Sequence, residues 1–146
     1  MTERGQLERA AIVVDDYGSD VSTYTRSDGI ADLDPTFAII DGPQVVGESI
    51  ARLLMTRRGI LASAPDRGLD LEELQSRRLS QAGLRELHAA IEREVRSDDR
   101  VLDAGVEVLQ TGPGTLQIRV LAQTAAGPFE LVRQASAAGD LTEILV

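Results

Sequence analysis

The spacing of apolar residues becomes helical at Val45 and drops to two after Arg100, and that second change limits the possible folds more than any single motif does. Between Val45 and Arg96 the apolar side chains recur at helical intervals; beyond Arg100 they alternate, so helices come first and strands follow. In the first helix Val46, Ile50, Leu53 and Leu54 form the buried stripe, and Glu48, Arg52 and Arg57 are expected to point outward. Arg57 and Arg58 suit the carbonyl end of its dipole, and Gly59 is available for a left-handed cap. Asp66-Arg67-Gly68 reads as a turn, and Asp70 as the cap of a short helix over residues 71–79. Ser80 caps the next helix, over residues 84–96, where Leu84, Leu87, Ile91 and Val95 make the stripe while Glu86, Arg93 and Arg96 cover the wet side.

Strands are predicted over residues 104–109, 115–123 and 129–135, separated by the turn formers Gly112-Pro113-Gly114 and Ala125-Ala126-Gly127. Residues 141–146 add a last strand or an extended tail. The expectation is an α+β fold: two main amphipathic helices on one face of a small antiparallel β-meander, preceded by an extended N-terminal arm. The arm, residues 1–44, breaks short apolar pieces with Asp15-Asp16, Asp34-Pro35 and Asp41-Gly42-Pro43; residues 11–14 and 37–40 read as short extended segments and the first ten as disordered. Residues 45–146 then form the α+β domain.

At 146 residues the chain suffices for one core, and with aromatics at 3% that core must be aliphatic. With no cysteine there is neither a disulfide framework nor a thiolate metal site. No apolar run reaches the roughly twenty residues of a membrane span, and the start, Met1-Thr2-Glu3-Arg4, lacks the basic and apolar stretches of a signal peptide, so a protein made in the cytoplasm is expected. The net charge of -9 argues against nucleic acid as a partner. Residues 1–44 hold nine acids against three arginines, residues 45–100 balance, and the remainder is again acidic. Every basic residue is Arg, which pairs carboxylates in a two-pronged way, although a G- and C-rich genome produces the same bias.

Motifs for chemistry are sparse. His88 has no cysteine or second histidine with which to share a metal or activate a nucleophile, and a structural role is expected. The carboxylate pairs Asp15-Asp16, Glu72-Glu73 and Asp98-Asp99 are adjacent in sequence, a spacing that seldom directs two carboxyls at one bond. Gly112-Pro113-Gly114 lacks the length and the Lys of a phosphate loop. No catalytic residue, cofactor or metal site is expected. Helix-end placement accounts for Arg57 and Arg58; the sharper reading makes them a docking contact for an acidic partner. Asp98-Asp99-Arg100 reads by itself as a surface turn.

Taken together, Tyr17-Gly18-Ser19-Asp20, residues 50–59, residues 65–70, residues 91–101 and Gly127-Pro128-Phe129 resemble, in order and spacing, the small baseplate wedge proteins of contractile phage tails and related injection machines, often called sheath initiators. The likeness spans most of residues 17–135. That family carries an acidic-Pro-Arg triplet that docks on the helical core bundle of the wedge; here Asp98 and Arg100 stand at its ends and Asp99 replaces the proline. The resemblance implies a structural protein, not an enzyme, placed in the baseplate of a virion tail or injection particle. Its partners would be the tail sheath protein, other wedge proteins, and tube or hub proteins, in copies set by sixfold symmetry, with no nucleic acid or membrane. Partner contacts would fall on Arg57, Arg58, Asp98 and Arg100, and an exposed strand edge would accept a sheath arm. Two rivals are a cytoplasmic adaptor that binds a peptide on the same edge and a cell-wall hydrolase, a label sometimes attached to the family.

Overall fold

A computed structural model describes residues 18–23, 33–69, 71, 79–136 and 139–146. Six strands and two helices follow in the order β1 (Ser19–Val21), β2 (Ile39–Asp41), α1 (Gly42–Met55), α2 (Gln81–Arg96), β3 (Val101–Gly112), β4 (Thr115–Thr124), β5 (Gly127–Ser136) and β6 (Gly139–Leu145). This is the expected α+β fold, with a two-stranded sheet β1-β2 in addition to the four-stranded antiparallel sheet β3-β4-β5-β6. The expected segment at 11–14 and the helix over 71–79 fall on residues outside that description, apart from the helical Leu71 and the exit residue Leu79.

Alternation builds the large sheet. Leu116, Ile118, Val120 and Ala122 of β4 are buried on one face, joined by Ala104 and Val106 of β3 and by Phe129, Leu131 and Ala135 of β5. Both helices lie on that face, α2 against β3 and α1 against β5 and β6. Leu87, Ile91 and Val95 of α2 meet Val46, Ile50 and Leu54 of α1 in one core, each such side chain contributing about 1.5–3 kcal/mol by burial. Gly47 permits the close approach of α1: a Cβ there would stand 2.9 Å from Cγ2 of Ile144 on β6. Two-residue turns at Pro113-Gly114 and Ala125-Ala126 join the strands, as their turn formers predict.

Two expectations for α1 need correction. The helix stops at Thr56, whose backbone is extended and whose hydroxyl returns to the Arg52 carbonyl at 2.8 Å. Gly59 is left-handed, at φ +86, but serves a separate turn closed by the Ile60 N–H to Arg57 carbonyl bond, so it does not cap α1. Glu48 is the second correction. It is 2% exposed, because its side of the helix faces the N-terminal arm and not water.

Candidate interaction surfaces

Of the four residues expected to bind partners, Arg58 reaches a carboxylate that periodicity alone did not single out, and Asp98 and Arg100 pair with each other nearby. Glu94 lies on the buried side of α2 at 4% exposure. Its Oε1 accepts from Arg58 Nη2 at 3.1 Å, and its Oε2 accepts from the Gly68 N–H at 3.3 Å with Arg67 Nε at 3.7 Å. One glutamate thereby fixes the loop over residues 57–69 against α2. The loop is closed at its base by the Leu69 N–H to Thr56 carbonyl bond, 2.8 Å. Gly68 sits at that closure with φ +104, and a Cβ on it would fall 2.3 Å from the Thr56 oxygen. Only glycine fits there.

One helical turn further on, Asp98 and Arg100 pair with each other across the bend between α2 and β3. Asp98 Oδ1 accepts from both the backbone N–H and Nε of Arg100, and Oδ2 accepts from Nη2 at 2.7 Å. Burial by itself would raise the Asp98 carboxyl; the side-chain and backbone hydrogen bonds from Arg100 outweigh it, helped by the Arg67 charge, and hold it below its ordinary value. Asp99, which stands where the related triplet has proline, is exposed. Arg57 is exposed beside Ile60 (66%) and Met55 (46%), so this surface presents cations among apolar side chains. A sequence signal for Glu94 did exist: it occupies a stripe position between Ile91 and Val95, where an acid demands partners.

The sheet has two edges, β3 and β6, and they are finished differently. On β3 the Ala104 carbonyl accepts from Arg96 Nη2 at 2.6 Å, the Val106 carbonyl lies 2.7 Å from His88 Nε2, and the Ala104 N–H donates to Asp103 Oδ1 at 2.9 Å. Arg96 is itself clamped by Glu92 and Asp103, whose hydrogen bonds raise its already high pKa. Register shifts lie near both ends of β3, between Val101 and Asp103 and between Gln110 and Gly112. Side chains and bulges of this kind blunt an edge. His88 therefore acts as a structural cap. Along β6 the pairing to β5 is regular, and among the described residues no strand lies on its outer side.

Among the described residues no group of His, Asp and Glu is arranged to hold a metal ion, and no helix is long and apolar enough to cross a membrane. The pairs Asp15-Asp16 and Glu72-Glu73 lie outside the described residues. No protein-family model, curated protein or solved structure matches the chain. The likeness to contractile-tail wedge proteins thus rests on the sequence segments named above.

Proposed function

We propose that this protein is a structural component of a contractile tail or injection machine, which joins the baseplate wedge to the first sheath ring and starts sheath assembly by strand addition. The observation that carries the reading is a four-stranded sheet with its helices on one face and a regular terminal strand, β6, left without a neighbour among the described residues. Such a strand offers unpaired N–H and C=O groups to an extended arm, and alternate side chains set the arm's register. The surface with Arg57, Arg58 and the Asp98-Arg100 pair is the one we assign to the wedge. A single edge supports weak pairwise affinity, and a ring of copies multiplies it.

Co-expression with the sheath and wedge proteins of the same genome tests the reading. Co-purification with both, and loss of sheath polymerisation when this chain is omitted, is the expected result. Recovery of normal sheathed particles without it would remove the proposal. Digestion of cell-wall sacculi by the purified chain would instead favour the hydrolase.

A further inference from the structure

We infer that β6 is the edge that accepts a partner strand, and that the strand it fits carries a basic side chain where it faces Glu143 and an apolar one where it faces Leu145. This rests on the strand-addition reading and adds to it the edge and the chemistry of the incoming segment.

The caps on β3 reveal which backbone groups face outward. Because the Ala104 and Val106 carbonyls and the Ala104 N–H are met by side chains and not by β4, the backbone groups of these alternate residues point away from the sheet. Antiparallel ladders alternate strictly, so the direction can be followed across the register Val106↔Val120, Val120↔Leu131 and Leu131↔Ile144, which no bulge interrupts. Val120 must bond to β5, Leu131 back to β4, and Ile144 outward. The same path through Val108, Ile118 and Arg133 ends on Thr142. The N–H and C=O groups of Thr142 and Ile144 therefore point outward and are met by no strand among the described residues, while on β3 much of the equivalent ladder is already occupied.

Side chains specify what can dock. Thr142 and Ile144 turn toward the helices: Thr142 is 5% exposed and receives Arg133 Nη1 on its hydroxyl at 3.3 Å, and Ile144 lies against Gly47. Glu143 and Leu145 project from the opposite face, and both are exposed. Glu143 ends the cross-strand row Glu107, Arg119, Val132, Glu143. Arg119, the cation of that row, is taken by Glu130 at 2.6 Å and Glu107 at 3.7 Å. The next strand position in the row is thus bordered by a carboxylate, which favours Lys or Arg there, and Leu145 favours an apolar residue two positions along. An acidic arm is repelled at the same place.

The test uses the full chain with a short synthetic peptide of alternating valine and threonine bearing a central lysine, and a twin bearing central glutamate. Amide hydrogen exchange should slow at Thr142 and Ile144 when the lysine peptide is added, with a preference over the glutamate twin of about two- to fivefold. Glu143→Lys should invert that preference. Slowed exchange at Val106 and Val108 with the preference unmoved by Glu143→Lys would overturn the choice of β6 yet leave strand addition standing. Protection on β6 with no charge preference would overturn the partner chemistry. If neither peptide protects any strand amide, the inference and the strand-addition reading fall together.

Discussion

Each of the two helices described above buries one glutamate, and the two perform the same task with different partners. Glu48 of α1 and Glu94 of α2 are 2% and 4% exposed, and each fastens a distant stretch of chain to its helix. Around Glu48 the donors among the described residues are uncharged: Ser22 Oγ at 3.1 Å, the Thr23 N–H at 2.8 Å, Thr23 Oγ1 at 3.1 Å and Gln44 Nε2 at 3.2 Å. Charge enters one step away, where Arg52 donates to Thr23 Oγ1 at 2.7 Å and pairs with Asp20 at 3.0 Å. Around Glu94 two guanidinium groups join a backbone N–H. A buried carboxylate can thus be stabilised by several neutral donors or by fewer charged ones, and the choice sets how each fastening answers to mutation. The arm is held by a hydrogen-bond cluster, the loop by ion pairs that reach the surface.

The sharpest way to break the comparison is Gly68→Ala. A Cβ placed 2.3 Å from the Thr56 carbonyl, on a backbone at φ +104, must open the base of the loop and pull the Gly68 N–H off Glu94. A loss of about 3 kcal/mol is expected in urea unfolding, with the Thr23 amide as protected as before. Next comes Glu94→Ala. Truncating one partner of a sealed pair costs about 3–5 kcal/mol; here the Arg58 and Arg67 side chains are 51% and 36% exposed, so water reaches part of each although Arg67 Nε itself is buried, and about 2 kcal/mol is expected. Glu94→Gln should recover part of that, because an amide oxygen still serves Gly68.

Glu48→Ala leaves three described donors on Ser22 and Thr23 without their acceptor, and about 1–2 kcal/mol should be lost. Its distinguishing sign is local: the Thr23 amide should exchange with solvent much faster while those of α2 do not change. If both regions loosen equally, the arm is not a separate fastening. A smaller effect, about 1 kcal/mol at neutral pH, is expected for Arg100→Ala, which takes the bidentate partner from the half-buried Asp98. The folded-state carboxyl of Asp98 is lowered from 3.8, so its contribution is complete above that value and fades as pH falls through the lower, folded value. Acid titration of both proteins should therefore show their stabilities converging below pH 3.8. Last is Arg58→Ala, expected at about 1 kcal/mol: the arginine side chain is itself 51% exposed, but its loss takes one charged donor from the buried Glu94 carboxylate. Added salt should reduce even that difference, and should leave the Glu48 difference untouched.

The strands were the most legible part of this molecule. The three predicted over 104–109, 115–123 and 129–135 lie inside β3, β4 and β5, which extend at most three residues further at either end. Alternation reports directly on a sheet that has one wet and one covered face. The Ser80 cap was also readable, since its hydroxyl accepts the Gly83 N–H at 3.1 Å. Less could be read of the polar residues. The rule that charges on an amphipathic helix face water failed at Glu48, because the arm that covers it is twenty-five residues away in sequence, at Thr23. Arg58, placed by its dipole at a helix end, proved to be a loop residue reaching across to Glu94, thirty-six positions on.

What the sequence settled alone was the order, type and apolar face of α1, α2 and β3 to β5, since these follow from side-chain spacing within a few residues, whereas it predicted no strand at β1. Tertiary structure decided the rest: which glutamates are sealed, where the loop over residues 57–69 is tied, and that α2 caps one margin of the sheet through His88 and Arg96 while no described strand lies outside β6. Those outcomes depend on which distant segments meet, and a backbone group or carboxylate is satisfied or left open only by the neighbour that folding brings to it.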